Sequence, residues 1–273
     1  MNRSLNVSKS DPLKGLTILV TRPEESIEAL AEPLRAFGAE VIELPTIRFE
    51  PPKNFALVDE ALKRLSNHEY QWCIFTSVNG VRFLWNRLSE LKYENTIWQG
   101  VQLAAIGPAT AQAIEENGLV VHVVPEVIVA EEIANKMGHV YGQRILLPRA
   151  DIARKALPKI LRGSGAIVDE VAVYRTLPVE IDKIQSTKIK NMLGRHEIDV
   201  VTFTSSSTVR GFINLMMNAG LSKSQIQSAK IACIGPITEE TARELGLSAS
   251  FVAREHTISG LIQTLIEEVG IRE

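Results

Sequence analysis

Apolar residues along the chain fall into two alternating rhythms: short unbroken runs, and longer stretches with apolar positions every three or four residues. The first run, residues 16–20, reads as a strand and ends at Thr21-Arg22-Pro23. Ile27, Leu30, Ala31 and Leu34 then keep helical spacing up to Phe37-Gly38. A strand over 39–44 follows, and 45–52 is extended and bounded by prolines. Next come helices over 56–65, 81–91, 108–117 and 130–137, separated by strands over 72–75, 102–106 and 120–124. The second half continues with helices over 184–193, 208–218, 236–245 and 259–269 and strands over 200–203, 230–234 and 249–252. Short apolar runs alternating with helices of this length imply parallel sheets covered on both faces. The pattern predicts an α/β protein with two doubly wound domains.

The two halves are copies. Ile106-Gly107-Pro108-x-Thr110 returns as Ile234-Gly235-Pro236-x-Thr238, 128 residues later. At the same offset Phe75-Thr76-Ser77 with Val81-Arg82 returns as Phe203-Thr204-Ser205 with Val209-Arg210. At an offset of 127, residues 18–48 align with 145–175 with twelve identities in thirty-one positions, Arg22 meeting Arg149 and Glu43 meeting Glu170. An internal duplication therefore underlies the whole chain.

Size agrees, since 273 residues exceed the roughly 100–150 of a common single domain. Thirty basic against 32 acidic residues leave no net positive field to favour nucleic acid. Cys73 and Cys233 lie inside apolar runs without metal-ligand spacing, which reads as buried thiols in a reducing compartment. The polar first dozen residues lack a signal-peptide core, and no apolar stretch reaches the roughly 20 residues of a membrane span. A cytoplasmic protein with a flexible N-terminus over 1–13 is expected, without membrane or nucleic-acid partners. No GxGxxG, Walker or GxSxG motif occurs, and the five histidines show no paired spacing. No cofactor or metal is expected.

Ligands of open α/β sheets sit beyond the carboxyl ends of strands. The residues at such ends are Arg22, Thr76, Ser77, Asn79, Gly107, Thr110, Arg149, the run Thr204, Ser205, Ser206, Ser207, and Gly235 with Thr238. Free N–H groups at helix starts attract carboxylate or phosphate, hydroxyls add uncharged donors, and glycine lets a ligand approach the backbone. Simple helix capping explains the same hydroxyls, and a surface ion pair explains the arginines. Tyr174, in Val171-Ala172-Val173-Tyr174-Arg175-Thr176, aligns with Ile47, so the duplication does not account for it. It is either a packed ring or a phenol donating a hydrogen bond.

Taken together, Ile18-Leu19-Val20-Thr21-Arg22-Pro23, Phe75-Thr76-Ser77, Ile106-Gly107-Pro108-Ala109-Thr110, the Tyr174 segment, Phe203-Thr204-Ser205-Ser206 and Ile234-Gly235-Pro236 resemble uroporphyrinogen-III synthases over about residues 14–270. The resemblance implies one discontinuous domain of residues 14–44 and 178–273 and a second of 49–172. A two-stranded connector near 45–48 and 173–177 would join them, with the active site in the interdomain cleft. It also implies a cofactor-independent enzyme that dehydrates and cyclises hydroxymethylbilane, a linear tetrapyrrole with eight carboxylates, inverting ring D; a monomer is the default expectation. Tyr174 matches the family's tyrosine near the leaving hydroxyl, with the other candidates binding substrate. Two other readings compete: a two-lobed tetrapyrrole or anion-binding regulator without catalysis, and a transferase acting on a nucleotide sugar. The second lacks a visible diphosphate-binding set.

Overall fold

The computed structural model describes residues 11–126 and 130–269. In chain order the elements begin with β1 (Thr17–Val20), α1 (Glu24–Ala36), β2 (Glu40–Glu43), β3 (Ile47–Glu50), α2 (Ala56–Ser66), β4 (Trp72–Phe75) and α3 (Val78–Glu90). After a 3-10 turn at Asn95–Trp98 come β5 (Gln102–Ala105), α4 (Pro108–Glu115), α5 (Ala130–Met137), β6 (Arg144–Ala150), α6 (Ala156–Gly163) and β7 (Ile167–Pro178). The remainder is α7 (Lys183–Gly194), β8 (Val200–Phe203), α8 (Ser206–Asn218), α9 (Lys223–Ile226), β9 (Lys230–Cys233), α10 (Pro236–Glu244), β10 (Phe251–Val252) and α11 (Ile258–Glu268).

These elements form two compact units, one of residues 1–48 and 177–273, the other Phe49–Thr176. The chain crosses the division twice, inside β3 and inside β7.

In the first unit the sheet order is β10-β9-β8-β1-β2, with parallel pairing throughout. In the second it is β3-β7-β6-β4-β5, and β7, β6, β4 and β5 are parallel. The duplicated segments occupy matching places: β1 and β6, β2 and β7, β8 and β4, β9 and β5. Alternation along a strand feeds two core layers. Cys73 and Phe75 of β4 join Leu62 of α2 and Leu84 of α3, whereas Trp72 and Ile74 join Ile133 of α5 and Leu161 of α6. β8 divides likewise, Val201 and Phe203 facing α7 and α8 while Val200 faces α1 and α11. A helix-end arginine is bonded to the matching strand in each copy: Arg35 to Glu43 of β2, and Arg162 to Glu170 of β7.

Helices α3 and α8 start at Val78 and Ser206, earlier than the periodicity predicts, because Ser77 and Ser205 cap them. The strand expected over 120–124 reduces to one bridge between Ala104 and Val123. There the His122 ring nitrogen accepts the Leu103 N–H at 3.1 Å, so a side chain takes a donor a longer ladder would need. Leu13, expected in a flexible terminus, is fully buried, and its N–H donates to the Phe37 carbonyl at 2.9 Å. Leu13 joins the layer of Leu30 and Leu34, and burying that side chain outweighs the fraying usual near a chain end. Residues 1–10 lie outside the described residues. Cys73 and Cys233 are buried and unbridged, and burial raises both thiols, Cys233 to about 12. Among the described residues, no helix is long and apolar enough to cross a membrane.

Candidate active site

In the second unit several predicted residues gather where β4 and β6 end, beside Tyr174 within β7. Ser77 follows β4 in extended conformation, and its Oγ accepts the Gly80 N–H at 3.0 Å, which starts α3. The same Oγ lies 3.1 Å from the Tyr174 hydroxyl. Tyr174 is 6% exposed, stacked on Phe83 with ring centroids 5.4 Å apart and edge-on to Phe49. A register shift between β6 and β7 accompanies this placement: Arg149 pairs with Ala172, but Ala150 pairs with Tyr174. The extra residue, Val173, reverses which face of β7 the following side chains take.

Burial pushes the Tyr174 phenol above its usual value of 10, with Asp151 adding to the rise. The Ser77 hydrogen bond, Arg149 and Arg82 oppose the shift without cancelling it. Tyr174 is therefore a neutral hydroxyl near pH 7, a donor rather than a base. Phe83, Phe49 and Arg82 were not among the sequence-derived candidates. Arg82, whose guanidinium lies 5.0 Å from the Phe83 ring centre, was visible only as part of the duplicated Val-Arg pair.

Arg149, expected to hold substrate carboxylates, is turned inward. Its side chain is 6% exposed, Nη1 lies 3.3 Å from Glu170 Oε2, and Nη2 donates to the Arg154 carbonyl. Glu170 also holds Lys155 at 3.1 Å and Arg162 at 2.8 Å. Glu170 is thus shared by three cations, burial lowers Arg149 from the usual arginine value despite the facing carboxylate, and its Nε has no hydrogen-bond partner among the described residues.

Thr76 and Asn79 are half-buried, Asn79 within the first turn of α3. Gly107 caps α4 in extended conformation, Pro108 opens the helix, and Thr110 is buried in its first turn.

The first unit repeats this arrangement with different partners. Ser205 caps α8 in a reciprocal box with Thr208, and its Oγ lies 3.0 Å from Ser207 Oγ. Ser206 accepts from the Thr241 hydroxyl at 2.7 Å, tying the start of α8 to α10. Thr204 and Ser207 are half-buried. Gly235 caps α10 as Gly107 caps α4, and Thr238 matches buried Thr110. A Cβ at Gly235 would stand 3.1 Å from the ring of His256, an exposed side chain.

Arg22 differs from its copy. Its Nε donates to the Ser26 carbonyl at 2.9 Å, and no carboxylate pairs with it among the described residues. Burial without a counter-charge lowers it from the usual arginine value. An uncompensated guanidinium at the end of β1 suits an anion.

A surface recess of about 490 Å³ in the second unit is lined by Arg64, Lys155, Arg162, Asp169 and Glu170 among others. None of the predicted residues lines it, and its three cations already face carboxylates.

The sequence profile of the uroporphyrinogen-III synthase HemD family matches residues 28–263. A uroporphyrinogen-III synthase from Synechococcus elongatus is 34% identical over 258 residues, covering 92% of this chain and 94% of its own. The porphyrin biosynthesis protein HemD of Ruminiclostridium josui is 34% identical over 264 residues and 95% of this chain. The chain spans only 50% of that relative's length. The fold is similar to a mutant uroporphyrinogen III synthase of Thermus thermophilus, with a TM-score of 0.64 at 20% identity, covering 91% of this chain and 96% of that one. The synthetase of Helicobacter pylori aligns with a TM-score of 0.60 at 16% identity, covering 92% and 99%. With most of its length matched, the chain belongs to the uroporphyrinogen-III synthase HemD family.

Proposed function

We propose that the chain converts hydroxymethylbilane to uroporphyrinogen III, closing the macrocycle with ring D inverted and releasing water. Family membership supports this reading, and the observation that carries the chemistry is the buried, neutral Tyr174 hydroxyl 3.1 Å from Ser77. The bond to break joins a pyrrolic methylene to a hydroxyl. Its departure leaves a cationic azafulvene, and the leaving oxygen needs a hydrogen-bond donor more than a strong acid. A phenol held in its protonated form is such a donor.

Attack by the substituted carbon of ring D then gives a spiro intermediate that fragments and recloses. The uninverted ring forms without an enzyme, so the protein's main task is to hold the bilane in the geometry that favours inversion. Eight carboxylates give many points of attachment. We assign them to Arg22, Thr76, Asn79, Thr110, Thr204, Ser207 and Thr238, together with the free N–H groups at the helix starts that follow Gly107 and Gly235. The protein is proposed to act as a monomer in the cytoplasm.

The test supplies freshly generated hydroxymethylbilane to the purified protein and separates the oxidised porphyrin isomers. Predominantly isomer III, above an enzyme-free control giving isomer I, is the expected result. Isomer I alone from folded protein rejects the reading and leaves a binding module in its place.

A further inference from the structure

We propose that Ser77 is a positioning residue, whose hydroxyl, anchored at the start of α3, sets the direction in which Tyr174 presents its proton. The inference rests on the synthase reading and adds a second residue to its donor.

A serine hydroxyl has one proton and two acceptor sites. One acceptor site of Ser77 is taken by the Gly80 N–H at 3.0 Å. Only the proton and the other acceptor site remain for the Tyr174 hydroxyl at 3.1 Å. Accepting an N–H at the positive end of a helix draws electron density from the oxygen, making the Ser77 proton the better one to give. With Ser77 donating, the phenol oxygen is the acceptor in that contact and its own proton points elsewhere, available to a departing hydroxyl. The ring cannot easily turn away, because Phe83 lies flat against one side and Phe49 meets it edge-on.

Capping alone does not account for this contact, and the duplicated copy shows why. Ser205 caps α8 just as Ser77 caps α3, yet its second partner is Ser207. Where the second unit has Tyr174 and Phe83, the matching positions of the first are Ile47 and Gly211. The cap belongs to both copies, and the phenol contact to one.

The experiment compares the wild-type chain with Ser77→Gly, Ser77→Ala and Ser77→Thr. Glycine begins helices nearly as well as serine, so Ser77→Gly removes the hydroxyl while largely keeping the helix start. Two readouts are taken: kcat and KM for isomer III, and the titration of Tyr174 followed by carbon-13 NMR of ring-labelled tyrosine. In Ser77→Gly and Ser77→Ala, kcat falls about tenfold with KM within about twofold, the size expected for one lost hydrogen bond. The Tyr174 midpoint rises in both, and Ser77→Thr restores both values toward wild type. Wild-type kcat in the glycine and alanine variants overturns the proposal, whether or not the midpoint moves, and so does an unmoved Tyr174 midpoint. Should the wild-type chain make no isomer III, the synthase reading fails, while the titration still decides whether Ser77 donates to Tyr174.

Discussion

Arg149 Nη1 stands 3.3 Å from Glu170 Oε2, whereas Arg22, its duplicate, meets no carboxylate among the described residues. Two arginines equivalent in sequence thus have different partners. Arg149→Ala strands part of a buried ionic cluster and costs about 2–3 kcal/mol of stability, held down because Lys155 and Arg162 still face Glu170. Arg22→Ala costs under about 1 kcal/mol but raises KM for the bilane, with kcat nearly unchanged. Urea titration and steady-state kinetics on both variants check the contrast. Equal stability losses would refute the division of roles.

Gly211 lies so close to β3 that a Cβ would stand 2.6 Å from the Thr46 carbonyl oxygen and 2.9 Å from the Ile47 side chain. Alanine favours a helix by about 1 kcal/mol over glycine. The clash with a backbone oxygen outweighs that gain, so Gly211→Ala is expected to lose about 1–2 kcal/mol. Trp72, Trp85 and Trp98 are the three tryptophans and all lie in the second unit, so their fluorescence does not report this loss directly. Far-ultraviolet circular dichroism follows it. A variant as stable as its parent would show that α8 can retreat from β3.

Tyr174→Phe keeps the stacking on Phe83 and the edge contact with Phe49 but removes the hydroxyl. Stability should stay within about 1 kcal/mol, because one hydrogen bond to a half-buried serine is lost. Turnover should fall by about a hundredfold, the low end for a positioned proton donor. Isomer III formation is the measurement, and near-wild-type turnover removes Tyr174 from the mechanism.

Asp169 and Glu170 predict the acid limit of the second unit. Burial alone would raise both carboxyls. For Asp169 the Tyr70 hydroxyl, Arg144 and Arg64 outweigh it, and for Glu170 Arg162 and Lys155 do, so both stay below their ordinary values of 3.8 and 4.5. A lowered folded value means that the unfolded chain binds more protons in that range. Their stabilisation is complete above about pH 4.5 and lost as pH falls through the folded values. Tryptophan fluorescence during urea unfolding, at pH values from neutral to strongly acid, follows the unit concerned. Asp169→Asn should lower stability at neutral pH and flatten the decline below pH 4. A decline as steep as in the parent would assign acid sensitivity to other groups.

The elements were largely legible in the chain because their cause is local. Ile27, Leu30, Ala31 and Leu34 were picked out by spacing, and these four are the buried residues of α1. The run at 72–75 is unbroken because β4 is covered on both faces. Gly-Pro marked the starts of α4 and α10 because proline suits the first helical position and spoils later ones. The site was legible only in part. That hydroxyls and arginines collect at strand ends follows from the pattern, but which of them remain available for a ligand does not.

Periodicity, caps and the duplication, all readable residue by residue, determined the strand–helix alternation and the list of residues that could meet a ligand. Partner choice was settled only by tertiary structure, since contacts between distant segments depend on strand order and on the room each side chain finds. Ser77 and Tyr174, 97 residues apart, meet because β4 and β7 flank β6 and a bulge turns Tyr174 toward α3. Arg149 faces Glu170, and the His256 ring lies beside Gly235. Local sequence sets what each segment is. Packing decides which of its groups are satisfied internally and which remain for chemistry.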